Sequence, residues 1–377
     1  MMKTVGIITT FRQPNWGSVL QAYALQKYIK ALGYNCTIID YLYPNEFHFS
    51  KGMKAFYSSK ATLKNRIARL LGLRPKTKMQ LLNEFIKNEM TISDSYNYTK
   101  IHNNPPQYDI YITGSDQVWN PNTMLGDMSY FFDFVKDCKN ILSYASSFAC
   151  SDIPNKFKNQ YIHYLSRYNN ISVREENGKK LIKELIGREV KVVLDPTLLI
   201  DGQTWTELSK KSIKLSLPQN YILFYMLAYT YNPDDAMTKL LNKVQKQTKY
   251  PIIPIGKLPN SFKGYIYDKN KHKPIGVYEF LLLLKNASVI VTSSFHGTAF
   301  AVNFGRPFVS LIDDKSSDDR IYTLLSRLNL QNQIIRNSDI DKYKLINFSY
   351  DIIQEQNKLN ELRKDSCSYL INAIHYK

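Results

Sequence analysis

Short apolar segments alternate with longer amphipathic ones along most of the chain, and this alternation constrains the fold more than any other feature. VGIITT (5–10) is a short apolar run, whereas the segment 16–33 carries apolar residues at helical spacing and ends at Gly33. Such alternation of strands and helices is typical of a parallel sheet covered on both faces. The sequence therefore predicts an α/β fold. Further strands of this first series are predicted at 36–41, 108–114, 139–148, 170–176 and 190–196, with a helix at 177–187.

A second series of strands and helices begins after the polar stretch 201–219. Since 377 residues exceed one ordinary core, the restart predicts two Rossmann-like domains, 1–200 and 215–345, facing a cleft at the carboxyl ends of their strands. The boundary is expected between Asp195 and Tyr221, and the helical segment 351–377 is expected to pack back on the N-terminal domain. The second series is predicted to contain strands at 221–229, 251–256, 288–294 and 307–312 and helices at 233–248, 278–284 and 297–304.

The formal net charge of +18 favours anionic partners such as phosphorylated small molecules or lipid headgroups. Much of it lies in the segment 51–90, which is predicted to form two helices inserted on the surface of the first domain. Its cations are interleaved with apolar residues, which fits either packing on the first domain or a peripheral contact with an anionic membrane. No nucleic-acid motif accompanies the charge, so a nucleic-acid partner is not expected. The interleaved apolar residues are Phe56, Leu63, Ile67, Leu70, Leu71 and Leu73.

The remaining composition points to a cytoplasmic protein, with peripheral attachment to the inner face of the membrane as the open alternative. The N-terminus is predicted to be a buried strand rather than a signal peptide, and no apolar run approaches the ~20 residues of a membrane helix. The four cysteines include no CxxC pair, so we expect reduced thiols. The histidines show no ligand spacing, so no metal site is expected.

Three predicted strand-to-helix junctions carry candidate functional residues. At the first, Asn15 and Gly17 open a helix whose N-terminus is suited to an anion, although the same residues are typical of a plain N-cap. The junction lacks the GxGxxG pattern of dinucleotide-binding proteins, so NAD binding is not supported.

The second junction, YDIYITGSDQVWN, delivers polar and aromatic residues to the carboxyl end of a buried strand. Asp116 is the candidate acid or base, and its alternative role is to cap the following turn. The neighbouring candidate substrate-binding residues are Ser115, Gln117, Trp119 and Asn120.

The third junction is VTSSFHGTAF, where His296 lies between a hydrophobic strand and a helix. Its position at a strand end, beside Ser293, Ser294 and Gly297, favours a catalytic or phosphate-binding role over a structural one.

Three arginines are candidate ligands for a carboxylate or phosphate, because the planar guanidinium group matches both. Arg174 follows a predicted strand and is expected at the rim of the cleft, although it could instead pair with Glu175 or Glu176. Arg320 ranks second and Arg306 last, since Arg306 could simply cap the C-terminus of a helix.

At these residues the sequence resembles the polysaccharide pyruvyl transferase family. The resemblance implies an architecture similar to glycosyltransferase-B enzymes and transfer of a pyruvyl group from phosphoenolpyruvate to a sugar. The histidine of the family matches His296 and an arginine matches Arg174. Some members carry Arg where this chain has Ser294, so the anion would depend on Arg320 or Arg306 here. The matching segments are NWGSVLQAYAL, DIYITGSDQVWN, YASSF, SVREENG, VLDPTLL and SSFHGTAFAVNFGRPFV.

The resemblance suggests a mechanism without a cofactor. Arg174 and Arg320 would hold phosphoenolpyruvate, His296 would assist phosphate departure, and Asp116 would deprotonate a hydroxyl of a sugar or lipid-linked saccharide. Asp116, Arg174 and His296 are accordingly expected to line one inter-domain cleft. The alternatives are a nucleotide-sugar-dependent glycosyltransferase of the same architecture and a non-catalytic member of the family.

Overall fold

The computed structural model describes residues 2–53, 76–136, 140–227, 232–270, 273–314 and 317–375. The chain divides into two compact units. Unit 1 comprises Met1–Leu199 with Lys364–Lys377, and unit 2 comprises Ile200–Arg363. Each unit contains a five-stranded parallel sheet flanked by helices, so the predicted α/β class with Rossmann-like halves is confirmed.

The sheet of unit 1 has the strand order β3-β2-β1-β4-β5, with all neighbours parallel. This is the order of a Rossmann half, in which the chain moves outward from β1 in one direction and then in the other. Bridges at Ser146 and Val173 extend the sheet towards a short parallel pair, β6 and β7. The strands are β1 (Thr4–Ile8), β2 (Asn35–Tyr41), β3 (Ile92–Tyr96), β4 (Ile110–Thr113), β5 (Ile141–Ser143), β6 (Ser172–Val173) and β7 (Lys191–Val192).

The helices of unit 1 follow its strands, and α1 shows how the sequence sets their limits. The Asn15 side chain accepts a hydrogen bond from the Gly17 amide and begins α1, and Gly33 just beyond its end has a φ of 89°. The described helices are α1 (Trp16–Ala31), α2 (Glu46–Ser50), α3 (Lys78–Glu89), α4 (Tyr98–Asn103), α5 (Pro121–Met124), α6 (Asn155–Leu165), α7 (Glu176–Ile186) and α8 (Pro196–Leu199).

The sheet of unit 2 has the order β12-β11-β10-β8-β9, again with parallel neighbours. Counted from its own first strand, this is the 2-1-3-4-5 order of flavodoxin-like folds. Its strands are β8 (Ile222–Tyr225), β9 (Ile252–Ile255), β10 (Val289–Thr292), β11 (Phe308–Ile312) and β12 (Ile334–Arg336). Its helices are α9 (Gly202–Ser209), α10 (Asp234–Thr248), α11 (Val277–Asn286), α12 (Phe295–Asn303) and α13 (Arg320–Arg327).

The long C-terminal helix α14 (Ile352–His375) begins in unit 2 and continues into unit 1 from Lys364 onward. In unit 1 the Ser366 hydroxyl accepts a hydrogen bond from the Leu194 amide at 3.0 Å, and the Tyr369 hydroxyl donates to the Ser143 carbonyl at 3.3 Å. Within the described part of the chain, no helix combines the length and the apolar character needed to cross a membrane.

Several strands are shorter than predicted, and two were missed. The predicted strand 139–148 is reduced to β5, because the chain turns sharply at Ala145 and Ala149, where φ is 50° at both residues. The polar strand β3 and the short edge strand β12 lack the continuous apolar run that marks a buried strand.

Only the ends of the basic segment 51–90 lie within the described residues. Helix α3 buries Leu82, Phe85 and Ile86, so this part of the segment packs on unit 1. The six interleaved apolar residues between Phe56 and Leu73, and with them the membrane interpretation, lie outside the described residues.

A buried carboxyl group in α14 makes the stability of unit 2 dependent on pH. Glu355 is 2% exposed, and burial raises the pKa of its carboxyl from 4.5 to about 7, against the smaller lowering effects of Gln356 and Arg363. Because the unfolded chain ionises this group first, folding stability falls as pH rises from about 4.5 to about 7.

We therefore expect Glu355→Gln to gain stability relative to the parent protein as pH rises. Between pH 5 and pH 8 the difference in unfolding free energy should move in favour of the variant by up to about 3 kcal/mol. Urea unfolding at both pH values measures it. The exposed Glu361→Gln on the same helix is the control, and an equal pH trend in both variants would contradict the assignment.

Candidate active site

The candidate site of unit 1 lies where the strand order of its sheet reverses. Strands β1 and β4 are neighbours there, and ligands of open α/β sheets bind beyond the carboxyl ends of such strands. Asp116 follows β4, and its Oδ2 accepts a hydrogen bond from the Ser18 hydroxyl of α1 at 3.0 Å. The Thr10 hydroxyl, which follows β1, lies 3.4 Å from the same oxygen. The fold therefore delivers Asp116 to the edge where a ligand would bind.

Arg174 forms ion pairs with two aspartates at this edge. Its Nη1 lies 2.6 Å from Asp195 Oδ2, and its Nη2 lies 3.3 Å from Asp116 Oδ1. The side chain of Arg174 is 1% exposed and that of Asp195 is fully buried, whereas that of Asp116 is 12% exposed. We name Asp116, Arg174 and Asp195 the carboxylate–arginine triad. Asp116 is the member that reaches solvent.

This arrangement corrects the expected position of Arg174. The side chain does not lie at an exposed rim, because it is buried and forms ion pairs with Asp116 and Asp195. Two carboxylates facing one guanidinium leave no excess of positive charge for an anion. Arg174 is therefore a positioning residue for Asp116.

Glu175 has a separate structural role beside the triad. It is fully buried, and its Oε1 accepts hydrogen bonds from the Phe148 amide at 2.7 Å, the Ala149 amide at 3.1 Å and the Ser147 hydroxyl at 3.0 Å. These bonds hold the loop that follows β5 against the start of α7.

The backbone around Asp116 is fixed by buried polar side chains. Asp116 has a φ of 68°, in the left-handed region that non-glycine residues rarely adopt. The preceding residue, Ser115, is held by the Gln21 side chain, whose Oε1 accepts from the Ser115 amide at 3.1 Å. The Ser115 hydroxyl donates to the Ala145 carbonyl at 2.6 Å. Ser115 is fully buried, so it supports the site rather than offering a hydroxyl to substrate.

The aromatic residue of this junction belongs to the core. Trp119 is fully buried and stacks on Phe131, with ring centroids 5.4 Å apart and an angle of 10° between the ring planes. A fully buried ring does not favour its predicted role in substrate binding, which stays a prediction. Trp119 lies six positions after the last residue of β4, and an aromatic residue at that distance can point back into the core as readily as outward.

The other residues of this junction and of the α1 junction mainly fix the local backbone. Asn120 caps α5 by accepting from the Asn122 amide at 2.9 Å, and it donates to the Gln117 side chain at 2.9 Å. Asn15 caps α1 through the Gly17 amide at 3.0 Å. Asn15 is therefore an N-cap, as the alternative interpretation predicted, and both asparagines stabilise the first turn of the helix that follows them.

A cation from the basic segment reaches the start of α1. The Lys78 ammonium lies over the Trp16 ring, 3.1 Å from its centroid, and burial lowers the pKa of Lys78 to about 7. No sequence pattern had marked this lysine among the others of the segment.

The candidate site of unit 2 also lies where the strand order reverses, between β8 and β10. The Ser293 hydroxyl, just beyond β10, donates to the Leu227 carbonyl and accepts from the Leu227 amide, both at 3.0 Å. Ser294 caps α12 by accepting from the Gly297 amide at 3.2 Å. His296 lies in the first turn of this helix and is 3% exposed. The serines therefore fix the turn that presents the histidine.

Gly297 is required here for packing. A β-carbon at this position would lie 2.4 Å from the Thr292 hydroxyl and 3.1 Å from the Tyr225 ring. Only glycine lets α12 approach the ends of β8 and β10 this closely.

The two remaining arginines lie at different places in unit 2. Arg320 begins α13, binds Asp318 through Nε at 2.7 Å and through Nη2, and lies 5.8 Å from the centroid of Phe295, the neighbour of His296. Arg306 lies between the end of α12 and the start of β11, which is the amino edge of the parallel sheet. Arg306 therefore lies at the opposite edge of the sheet from His296, and this position does not favour its predicted role in binding the substrate.

Asp116 and Arg174 belong to unit 1 and His296 to unit 2, so their predicted meeting in one cleft stays a prediction.

Asp195 was missed as a site residue although it lies in the VLDPTLL segment. Asp195 could have been found from its position, because it is a carboxylate three residues beyond the end of β7 and so lies near the sheet edge that carries Asp116. Among the described residues, no group of three or more His, Cys, Asp or Glu side chains is arranged to hold a metal ion.

Comparison with known proteins identifies the family. The model of the polysaccharide pyruvyl transferase family matches residues 15–315, which include Asp116, Arg174, Asp195 and His296. The chain belongs to the polysaccharide pyruvyl transferase family. Its members are transferases, and the predicted family and enzyme class are confirmed. No curated protein matches the chain.

The fold of this family member is similar to that of solved structures of the glycosyltransferase-B type. MnaA of S. aureus, solved with UDP, is 12% identical with a TM-score of 0.53, and the match covers 100% of this chain and 99% of that one. A UDP-N-acetylglucosamine 2-epimerase from Rickettsia bellii is 13% identical with a TM-score of 0.52, covering 100% and 98%. At these identities the likeness shows the fold alone.

The buried triad yields a stability prediction. Replacing Arg174 by Met leaves two carboxylates without their countercharge in a buried site, and we expect a loss of about 3–5 kcal/mol of unfolding free energy. Urea denaturation measures it. The control is Lys180→Met, which breaks the exposed pair with Glu184 on α7 and should change stability little. Equal effects of the two substitutions would show that the triad is not a buried ion pair in solution.

Proposed function

We propose that this protein transfers the pyruvyl group of phosphoenolpyruvate to two hydroxyl groups of a saccharide and forms a cyclic ketal. Membership of the pyruvyl transferase family supports this reaction class. The observation that supports an acid–base site is the triad, in which a buried arginine and a buried aspartate hold the partly exposed Asp116. We propose that no cofactor is needed, because every proton and electron pair of the reaction is supplied by the two substrates and by side chains.

The proposed reaction proceeds in two stages. A general acid donates a proton to the methylene carbon of phosphoenolpyruvate, and the carbon that bears the phosphate gains oxocarbenium character. One sugar hydroxyl bonds to that carbon and loses its proton to a base. The proton that the base takes from the first sugar hydroxyl later restores the acid through solvent. The second hydroxyl then bonds to the same carbon as the C–O bond to phosphate breaks, and its proton leaves with the departing phosphate. The products are the ketal and inorganic phosphate, so atoms and charge balance.

Asp116 is the proposed base for the sugar hydroxyl. General bases act over hydrogen-bond distances and need a lone pair that the substrate can reach. In the triad Asp116 meets this condition, since Asp195 is fully buried and accepts from the Thr197 amide at 2.9 Å and the Thr197 hydroxyl at 2.7 Å. Ser18 and Arg174 hold the Asp116 carboxylate in one orientation, which lowers the entropy cost of the proton transfer.

His296 is the proposed group that assists phosphate departure. It lies in the first turn of α12, where the helix dipole favours a negative ligand. Arg320, beside Phe295, is the cation of unit 2 that we propose for the phosphate or carboxylate of the donor. Arg320 is itself paired with Asp318, but its side chain is 12% exposed, whereas that of Arg174 is 1% exposed and paired with two carboxylates. We therefore propose Arg320 rather than Arg174 for this role.

A nucleotide-sugar-dependent glycosyltransferase is the second candidate. The structural neighbour solved with UDP favours it, but a likeness at 12% identity speaks only for the fold. The family membership favours the pyruvyl donor over the nucleotide sugar. For the acceptor we propose a saccharide, free or lipid-linked.

The donor is tested by incubating the protein with phosphoenolpyruvate and a panel of galactose- and mannose-type acceptors. We expect acceptor-dependent release of inorganic phosphate and a product heavier than the acceptor by one pyruvate less one water. Mass spectrometry of the acceptor and a phosphate assay measure the two. A parallel incubation with UDP-sugars is the control, and acceptor-dependent release of UDP without phosphate release would replace our proposal by the glycosyltransferase.

The role of Asp116 is tested with Asp116→Asn, which keeps the size and the acceptor oxygen but cannot take a proton. We expect kcat to fall by about 10²–10⁴-fold with little change in KM for the donor. The control is Asp152→Asn, a highly exposed aspartate that pairs loosely with Lys158. If Asp116→Asn retains most of the parent kcat while its melting temperature is unchanged, Asp116 is not the base.

A further inference from the structure

Unit 2 contains a cavity away from the candidate site. Its volume is about 450 Å³, within the range of ligand pockets. Two of its lining residues are Gln333, which directly precedes β12, and Ser349. Ser349 follows Phe348, whose carbonyl accepts a hydrogen bond from the amide of Phe308 at the start of β11. The cavity is thus at the amino edge of the sheet, whereas His296 follows the carboxyl end of β10. The nine residues of α12, about 13 Å of helix, connect these two edges.

The lining of the cavity is dominated by side-chain amides. Each amide offers a carbonyl acceptor and an NH₂ donor, and a set of them facing one space suits a ligand that carries many hydroxyl groups. The amide-bearing residues of the lining are Asn329, Asn332, Gln333, Asn347, Gln354 and Asn357.

Two buried acceptors in this lining lack a partner. Gln333 and Glu355 are each 2% exposed. The Gln333 amide nitrogen donates to the Ser349 carbonyl at 3.2 Å, which fixes the side chain and leaves its oxygen without a hydrogen-bond partner. The Glu355 Oε2 accepts from Gln356 at 2.8 Å, and its Oε1 has no partner. Buried polar atoms without partners are costly, and a ligand whose hydroxyl groups can both donate and accept hydrogen bonds would relieve that cost.

The charge of the lining selects against phosphorylated ligands. Asp351 and Glu361 line the cavity as carboxylates, and Lys358, the one cation among the lining residues, pairs with Glu361 at 3.0 Å. Glu355 adds a third carboxyl group, whose pKa burial raises to about 7. In a chain of net charge +18, an acidic lining is a local exception. Anions such as phosphoenolpyruvate or a nucleotide diphosphate would be repelled here, whereas an uncharged polyhydroxyl compound would not.

We propose that this amide-lined cavity is a second binding site, specific for an uncharged saccharide and separate from the site of chemistry. The cavity residues contact the hydroxyl groups of one or two sugar rings through amide donors and carboxyl or amide acceptors. In an enzyme that acts on a saccharide chain, such a site retains a distant part of the same acceptor. The binding itself does not depend on the identity of the donor, so it is measured in the absence of phosphoenolpyruvate.

Saturation-transfer NMR with the full-length protein tests the proposal, using the methyl glycosides of galactose, mannose and glucose at millimolar concentration. We expect transfer to at least one of them, with no displacement by phosphoenolpyruvate and weaker transfer to glucose 6-phosphate. No transfer to any of the three glycosides overturns the proposal.

Two variants locate the binding. Asn357→Trp places a large side chain in the cavity from an exposed helix position and should weaken binding at least tenfold. Gln333→Met keeps the buried shape but removes the amide, and should weaken binding about tenfold. Ile353→Trp, at a 77% exposed position of the same helix outside the cavity, is the matched control and should bind as the parent does.

The fold of each variant is checked by its melting temperature. Binding to the Asn357→Trp protein with parent affinity would place the saccharide elsewhere and overturn the proposal. Binding that is lost in Asn357→Trp and kept in Ile353→Trp supports it, even if phosphoenolpyruvate proves not to be the donor.

Discussion

The buried ion pair between Arg174 and Asp195 is the interaction on which the candidate site of unit 1 depends. A guanidinium that is 1% exposed has lost its hydration, so it requires charged partners at short range. Asp195 supplies one at 2.6 Å, and Asp116 supplies the other at 3.3 Å. Because Asp195 is fixed in turn by Thr197, the guanidinium has one position. The partly exposed Asp116 is thereby held by a rigid support rather than by solvent.

The topology explains why these residues meet although they are distant in the chain. In a parallel sheet the residues after each strand reach the same edge, and a gap opens where the strand order reverses. In unit 1 that place lies between β1 and β4, which bring Thr10 and Asp116 together. In unit 2 it lies between β8 and β10, where Ser293 binds the backbone of Leu227. Both units thus use one geometric rule with different residues.

The sequence predicted the class of fold and the restart of strand–helix alternation after 201–219, because both follow from hydrophobic periodicity. It could not predict the environment of a side chain. Arg174 looked like a rim residue because one sequence does not show that Asp195, 21 positions later, lies beside it. Trp119 looked like a binding residue because its stack on Phe131 depends on tertiary packing. The prediction for Arg306 did not allow for topology. Arg306 follows α12, and this helix leads the chain from the carboxyl edge of the sheet back to its amino edge.

The distribution of charge indicates different binding places for the proposed anionic donor and the proposed neutral sugar. The net charge of +18 would attract an anionic donor to much of the surface, but it does not place the donor. The local balance of charge is more informative than the net charge. The triad has two carboxylates for one guanidinium, and acidic residues outnumber the cation in the lining of the cavity. Both environments disfavour a phosphorylated compound and tolerate a neutral sugar. A base such as Asp116 also acts best on a hydroxyl group when no phosphate competes for the hydrogen-bond donors around it, which include Ser18 and Arg174. It follows that the residues that contact the anionic donor should be sought around the first turn of α12, where the helix dipole favours an anion and the Arg320 guanidinium lies near Phe295.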